Sequence, residues 1–292
     1  MAKFLNKILW ATDFSDESLD SLSYAKIFAD TFKAKISALH VAPDFSPALY
    51  DTAAVIQGEL SKRVAAFKSE ARIKLEDIQK TRGIVFDIIL SEGNASKKII
   101  ETAEEIGADL IVMGSKGLSA IEKLFIGSVA NHVVRNTSVP LLLTKKGRRK
   151  PSMKKILVPT DFSEQEDIER DYAWKLAKGF DSTLMFLHVL ELHDYEFPPK
   201  ILDKMMDAVL DKLKARRKKE HEDIVLKEDV TRAINASLGI ADYAQSNKYD
   251  LIVISTCVQS KIERFFLGST TEKVIAHSQV PIFAIPPERS GK

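Results

Sequence analysis

Short apolar runs alternate with longer amphipathic segments along the first half of the chain. We predict five strands in this half, at residues 8–11, 35–41, 84–90, 110–113 and 140–144. The helices predicted between them begin near Ser15, Thr52, Asn94 and Gly127, where polar or small residues precede a face with helical period. Strands and helices that alternate in this way are typical of a parallel sheet with right-handed crossovers and helices on both faces.

The second half of the chain repeats the first. The segment Ile-Leu-Trp-Ala-Thr-Asp-Phe-Ser from Ile8 returns as Ile-Leu-Val-Pro-Thr-Asp-Phe-Ser from Ile156, a shift of 148 residues. Later landmarks, among them Gly127-Ser128 and Val139-Pro140, return at a shift of 141, so the second copy is seven residues shorter. We therefore predict two tandem domains, residues 1–146 (domain 1) and 152–292 (domain 2), joined by a linker at 147–151.

Composition limits the classes of function. Hydrophobic residues make up 45% of the 292 residues and charged residues 29%, as in soluble globular proteins. The 43 basic and 41 acidic residues leave a net charge of +2. This balance does not favour binding to nucleic acid. The apolar runs are too short to span a bilayer, and the single cysteine, Cys257, cannot form an internal disulfide. We predict a cytoplasmic protein that does not enter membranes.

The segment Leu110–Gly117 carries the clearest chemistry. It is a buried strand that runs into a loop with glycines at both ends, and Gly127-Ser128 follows nine residues later at the start of a helix. Small residues let backbone amides approach a ligand, and the first turn of a helix presents N–H groups with partial positive charge. This pattern predicts a phosphate-binding site, although neither the Walker spacing nor the Rossmann spacing is present.

The predicted fold brings three strand ends to the same edge of the sheet, where open parallel sheets bind their ligands. Thr12 and Asp13 end the first strand, Val41 ends the second, and Gly114 ends the fourth. Asp13 can accept a hydrogen bond from a ribose hydroxyl or an adenine amino group, or can help to hold a divalent cation. Val41 offers its backbone and an apolar wall. An adenine nucleotide is therefore the first candidate ligand.

In this order, the motifs resemble those of the universal stress protein family, and the resemblance covers both copies. The Gly-x-x-Gly, nine-residue spacer and Gly-Ser pattern is similar to that of the ATP-binding branch of the family. The resemblance implies two doubly wound, Rossmann-like α/β domains of the adenine nucleotide alpha hydrolase type, each a five-stranded parallel sheet of order 3-2-1-4-5. It also implies ATP as ligand, with Mg²⁺ or Mn²⁺, and pairing of the domains through their fifth strands, Val139 to Thr144 with Val280 to Ile285.

Residue by residue, the resemblance implies that Asp13 and the Val41 backbone meet the adenosine. The residues implied around the phosphates are Gly114, Lys116, Gly117, Gly127, Ser128 and Val129. Ala11, Thr12 and Met113 complete the predicted site. Ala11 departs from the family, which often has the proline seen here as Pro159, but this change removes no ligand group.

The second copy departs further from the pattern. Ser255 stands at the position of Gly114 and Val258 at that of Gly117, although Gly268 and Ser269 are retained. A β-branched residue does not readily adopt a positive φ, and its side chain blocks a close approach of the backbone. We predict that domain 1 binds ATP and that domain 2 does not, or binds a different ligand.

The predicted function is that of a nucleotide-dependent regulator in the stress response. Two alternatives stay open: a slow ATPase or a phosphoryl or nucleotidyl transferase that uses the same site, and an interaction scaffold without nucleotide. Beyond Asp13 and Lys116 the loop supplies no clear catalytic set, so we assign no catalytic residue. The sequence also leaves open the downstream partner and whether two chains form a homodimer.

Overall fold

A computed structural model of the chain describes residues 4–43, 54–116, 126–145, 151–163, 166–192, 197–216, 223–256 and 267–287. Gly117, Cys257 and Val258, together with most of the predicted linker, lie outside these residues. Within them, no helix combines the length and the apolar character that crossing a membrane requires.

Strands and helices alternate through both halves, as the hydrophobic pattern predicts. Domain 1 contains β1 (Lys7–Ala11), α1 (Asp16–Phe32), β2 (Lys35–Ala42), α2 (Ala54–Arg82), β3 (Asp87–Glu92), α3 (Ala95–Glu105), β4 (Leu110–Gly114), α4 (Ser128–Asn136) and β5 (Leu141–Thr144). Domain 2 contains β6 (Lys155–Pro159), α5 (Glu166–Phe180), β7 (Thr183–Glu191), α6 (Pro199–Ala215), β8 (Leu226–Ala233), α7 (Ala236–Ser246), β9 (Leu251–Ser255), α8 (Ser269–His277) and β10 (Ile282–Ile285).

The described strands form one sheet in the order β3-β2-β1-β4-β5-β10-β9-β6-β7-β8. Neighbouring strands within each domain are parallel, and the two halves meet where β5 and β10 pair antiparallel, with Leu142 opposite Phe283. The predicted fold class, two tandem α/β domains built on parallel strands, is confirmed. Because the junction is antiparallel, the carboxyl ends of the strands point to opposite edges of the sheet in the two domains.

Local sequence signals fix the helix boundaries. Ser15 caps α1 by accepting a hydrogen bond from the Ser18 amide, and Asp16 and Glu17 follow in the first turn, where negative charge is favourable. Asn94 caps α3 in the same way, and Gly107 follows that helix with a φ of 62°. These signals are local, so the sequence alone is enough to predict them.

The third strand begins later than predicted. Ile84 and Phe86 are buried, but the ladder with β2 begins only at Asp87, opposite Ser37. Before Asp87, the backbone forms hydrogen bonds with the end of α2 instead. The Gln79 carbonyl accepts from the Ile84 amide, and the Gln79 side chain donates to the Phe86 carbonyl. Apolar residues in this segment therefore mark burial under the helix and not strand pairing.

Aromatic side chains hold the two domains together on one face of the sheet. Phe28 of α1 is fully buried, and its ring centroid lies 4.9 Å from that of Phe180 and 6.3 Å from that of Phe283. Phe32 also packs against Phe180, at 5.3 Å. On the opposite face, Arg135 of α4 forms an ion pair with Glu272 of α8 at 2.6 Å. The first face of the interface is apolar, and the second combines apolar contacts between the domains with this ion pair.

Gly179 of α5 makes this close packing of the domains possible. A Cβ atom at this position would lie 2.4 Å from the Phe32 ring, which is held in turn by Phe4 and Phe180. We expect Gly179→Val to lower the free energy of unfolding by about 1–3 kcal/mol through overpacking. Equilibrium urea unfolding measures this difference, and Lys178→Val on the exposed face of the same helix is the control. Equal stability of the two variants would contradict the packing role.

Candidate functional site

A pocket of about 200 Å³ lies at the carboxyl edge of the parallel strands of domain 1. It is bounded by the ends of β1, β2 and β4 and by the first turns of α3 and α4. Its lining includes every predicted site residue within the described part of the chain: Ala11, Thr12, Asp13, Val41, Met113, Gly114, Lys116, Gly127, Ser128 and Val129. The further lining residues are Ser18, Leu39, Ala95, Ile99, Ser115 and Ala130.

The turn after β1 forms one wall of the pocket. Phe14 adopts a φ of 64°, and its amide donates to Thr12 Oγ1 at 3.0 Å. Thr12 Oγ1 also shares a hydrogen bond of 2.9 Å with the hydroxyl of Ser18. Asp13 Oδ1 accepts from the amide and the hydroxyl of Ser15, at 3.0 and 2.6 Å. These bonds fix the Asp13 carboxylate at the rim, where it can act as an acceptor.

The His40 side chain supports this turn from behind. Its Nδ1 lies 2.9 Å from the Thr12 carbonyl oxygen, and its ring packs on Phe14 with centroids 4.5 Å apart. His188 has the same arrangement with Thr160 and Phe162 in domain 2. Both histidines therefore pack at the strand edge, and among the described residues no group of three His, Cys, Asp or Glu side chains could hold a metal.

Glu17 organises the loop that follows β4. Its Oε1 accepts from the Ser115 hydroxyl at 2.7 Å and from the Lys116 amide at 3.0 Å. A Cβ atom on Gly114 would lie 3.2 Å from Glu17 Cγ and from the Lys116 carbonyl oxygen. Gly114 therefore leaves little room for a side chain beside Glu17, independently of the approach of a ligand.

Gly127 closes the same loop. Its amide donates to the Ser115 carbonyl at 2.8 Å, so neither this amide nor that of Lys116 points freely into the pocket. Gly127 is also the N-cap of α4, and it makes no side-chain cap bond. The first amides of α4, at Ser128, Val129 and Ala130, have no partners within the helix, and these three residues line the pocket. They and the Ser128 hydroxyl are the donors suited to an anion.

The other end of the pocket is apolar. Leu39 and Val41 of β2, Ala95 and Ile99 of α3, and Met113 of β4 line it. The sequence interpretation included Val41 and Met113 but missed Ser18, Ile99 and Glu17. Ile99 belongs to the apolar face of α3, and this periodicity could have placed it near the pocket. Glu17 resembles an ordinary acidic residue in a first helical turn, and no sequence signal distinguishes its role.

The equivalent edge of domain 2 carries larger side chains at two positions. Ser255 occupies the place of Gly114, and its amide donates to Glu169 Oε1 at 2.6 Å. Thr271 occupies the place of Ala130, and its hydroxyl donates to the Ser255 carbonyl at 2.9 Å. The position of Val41 is also a valine, Val189, which is buried close to Gly239 of α7. Ser255 and Thr271 therefore add side-chain atoms at two positions where domain 1 has Gly114 and Ala130.

A buried charged cluster distinguishes domain 2 from domain 1. Glu166 stands at the position of Ser18 and Arg170 at that of Leu22, and each side chain is only 4% exposed. Arg170 Nε donates to Glu166 Oε1 at 2.7 Å, and the guanidinium lies 3.9 Å from the Phe186 ring centroid. Arg216, at the end of α6, pairs with the other carboxylate oxygen of Glu166. The carboxylate thus lies between two guanidinium groups at the edge of domain 2 that corresponds to the pocket edge of domain 1.

Glu169 is buried beside this cluster. Burial is the main cause that raises the pKa of its carboxyl group to about 8, and the nearby Asp161 and Glu166 carboxylates act in the same direction. The Ser255 hydrogen bond and Arg170 oppose the shift. Glu169 is therefore protonated over much of the neutral pH range.

The fold and the pocket define a class of protein: a doubly wound α/β protein in tandem, with a pocket at the carboxyl edge of its first domain. Comparison with known sequences identifies the family. The family model described as "Universal stress protein family" matches residues 5–145 and 153–286. The chain belongs to the universal stress protein family, which confirms the resemblance seen in the sequence and associates the chain with the stress response.

Individual relatives agree with this assignment. A universal stress protein of Methanocaldococcus jannaschii is 34% identical over 143 residues, which are 49% of this chain and 84% of the relative. A second one from the same organism is 29% identical and covers 50% of this chain and 98% of its own length. The crystal structure of a universal stress protein from Archaeoglobus fulgidus superposes with a TM-score of 0.69 over 98% of this chain and 99% of that one. At 23% identity, this last likeness supports the fold alone.

Proposed function

We propose that domain 1 binds ATP and that the protein is a nucleotide-dependent regulator in the stress response. The observation that carries the proposal is the pocket of about 200 Å³, which has an apolar end and a helix N-terminus at the other. A nucleotide has a matching arrangement, with a flat, largely apolar base at one end and anionic phosphates at the other. The pocket alone is smaller than a typical ligand site of roughly 300–1,000 Å³, so part of the nucleotide would extend toward solvent.

Each part of the pocket suits one part of ATP. The apolar side chains of Val41, Ile99 and Met113 suit the faces of adenine, and Asp13 at the rim suits the ribose hydroxyls. The first turn of α4 suits the phosphates, since its amides lack partners within the helix. A divalent cation, Mg²⁺ or Mn²⁺, would reach this end with the phosphates, which supply most of its ligands in such sites.

We further propose that domain 2 does not bind ATP at the equivalent edge. Glu166 would bring a carboxylate to the position of Ser18, and Thr271 would crowd the phosphate end. The division of roles between the domains favours regulation: occupancy of domain 1 alters the paired domains, or a surface that a partner recognises. For catalysis, the described lining residues include Asp13 and Lys116, and we assign to none of them the orientation of a water molecule against a phosphate.

A substitution that copies domain 2 tests the ATP site. We expect Ala130→Thr to weaken ATP binding at least about tenfold, because the added hydroxyl and methyl groups occupy the pocket beside the first turn of α4. Isothermal titration calorimetry of the full chain with ATP and Mg²⁺ measures the dissociation constant. Domain 2 folds with threonine at this position, so the variant is expected to fold.

Thr271→Ala is the matched control, and we expect it to leave ATP binding to domain 1 unchanged. Equal affinity of Ala130→Thr and the unaltered protein would contradict the proposed position of the nucleotide. Absence of ATP binding to the unaltered protein would contradict the function itself. Single-turnover incubation of the complex with Mg²⁺ then distinguishes a binder from an ATPase, since only an ATPase forms ADP.

A further inference from the structure

Lys145 lies between the domain 1 pocket and domain 2. It directly follows β5, where Thr144 is opposite Gly114 in the ladder with β4. The Thr144 carbonyl accepts the amide of Ser115 at 2.8 Å. The backbone of Lys145 therefore begins immediately beside the loop that forms the phosphate end of the pocket.

The side chain of Lys145 reaches across the junction into domain 2. Its Nζ donates to the carbonyl oxygen of Ala276 at 3.0 Å, in the last turn of α8. Carbonyl groups in a last turn lack partners within their helix and carry partial negative charge, so they accept readily from a cation. The opposite end of α8 borders the altered edge of domain 2, where Thr271 is bonded to Ser255. One short helix thus contacts both ligand edges.

Among the described residues, one further cation and one carboxylate act on Lys145. Lys116 faces it from the loop after β4, Glu17 faces it from α1, and α8 contributes the Ala276 carbonyl, which His277 follows. Burial, and then the charge of Lys116, lower the pKa of Lys145 to about 8, while Glu17 opposes the shift. Two amines and one carboxylate therefore lie near one another beside the loop that follows β4, an arrangement that favours a bound anion.

We propose that Lys145 is a further phosphate-binding residue of the domain 1 site, and that its amine turns from the Ala276 carbonyl to the nucleotide polyphosphate when ATP binds. This inference rests on the proposed binding of ATP to domain 1. Lys145 would add a cation from the interface between the domains. The other proposed donors belong to the loop that follows β4 and to the start of α4. Lys145 would also connect the nucleotide to α8, because binding would remove the partner of the Ala276 carbonyl. The equivalent position in domain 2 is Pro286, which has no amine.

Proton uptake provides a specific signature. A bound polyphosphate favours the charged amine and raises its pKa, so ATP binding at pH 8 should take up as much as about half a proton per chain. Calorimetric titration of the full chain with Mg²⁺ and ATP in two buffers of different ionisation enthalpy measures this uptake. The same titrations give the dissociation constant.

Two substitutions at Lys145 separate charge from structure. We expect Lys145→Met to abolish the uptake and to weaken ATP binding about tenfold or more, since a charge-assisted hydrogen bond is lost. Lys145→Arg should keep the affinity within a few-fold but should also abolish the uptake, because a guanidinium stays charged at pH 8. A merely structural lysine would not produce this combination.

Glu169→Gln is the control for the second group with a pKa near 8, and we expect it to retain the full uptake. AMP should cause less uptake than ATP, because it lacks the polyphosphate. Wild-type affinity and uptake in Lys145→Met would overturn the role of Lys145 while leaving the ATP site intact. Failure of the unaltered chain to bind ATP would overturn both.

Discussion

Glu166→Ser is expected to lower the free energy of unfolding by about 3–5 kcal/mol, because it leaves the Arg170 guanidinium buried without its carboxylate. Both side chains are only 4% exposed, so water cannot replace the lost partner. The ring of Phe186 below the guanidinium attracts the cation but does not accept its N–H groups as a carboxylate does. Arg216 is affected less, since it is 38% exposed.

Domain 1 supplies the compensating pair for this experiment. It has Ser18 and Leu22 at the two positions, so we expect Glu166→Ser combined with Arg170→Leu to recover most of the lost stability. Asp171→Ser is the control, because Asp171 pairs with Lys175 on the exposed face of the same helix and should change stability by at most about 0.5 kcal/mol. Equilibrium urea unfolding compares the four proteins. Similar losses in Glu166→Ser and Asp171→Ser would contradict the importance of the buried pair.

Glu169→Gln should stabilise the protein increasingly as the pH rises from about 5 to about 8, by as much as a few kcal/mol at the upper limit. The pKa of Glu169 is raised from 4.5 to about 8 in the folded protein. Between these values the folded protein holds a proton that the unfolded chain has released. The contribution of Glu169 to stability is therefore fully present below about pH 4.5 and falls by about 1.4 kcal/mol per pH unit toward pH 8.

Glutamine resembles the protonated carboxyl group and removes this pH dependence. Urea unfolding at several pH values between 5 and 8 measures the difference between variant and unaltered protein. Lys145, whose pKa is lowered from 10.5 to about 8, is present in both proteins, so it does not change the difference between them. Glu101→Gln, in an exposed pair with Lys98, is the control and should leave the slope unchanged. Parallel curves for Glu169→Gln and the unaltered protein would refute the shift.

The fold could be predicted from the sequence because its signals are local and repeated. The caps at Ser15 and Asn94 and the glycine after α3 fix helix ends by short-range hydrogen bonds and backbone conformation. The duplication then gives the same order of elements twice. The start of β3 was predicted wrongly, since Ile84 and Phe86 are buried beneath α2 without pairing with a strand. An apolar residue in the sequence predicts a buried side chain, but it does not predict which helix or strand buries it.

The pocket was predictable in position but not in all of its contacts. The strand ends and the start of α4 were evident from glycine and serine spacing, and they line one cavity. The role of Glu17 was not evident, because its partners Ser115 and Lys116 are about a hundred residues away in sequence. The cluster in domain 2 was hidden for a similar reason: Glu166 and Arg170 are spaced like an exposed helical pair, and Arg216 lies on another helix.

The antiparallel pairing of β5 with β10 makes this chain a covalent counterpart of a twofold dimer. In a dimer of identical chains, any substitution near the axis appears twice, and both copies must tolerate it. In the tandem chain it appears once. Gly179 of domain 2, for example, packs against Phe32 of domain 1, whereas the position in domain 1 that matches Gly179 is Thr31. Covalent linkage also keeps the halves at a high effective concentration, whether or not both bind a ligand. The second copy can therefore carry a buried ion cluster at the edge equivalent to the pocket without losing its partner.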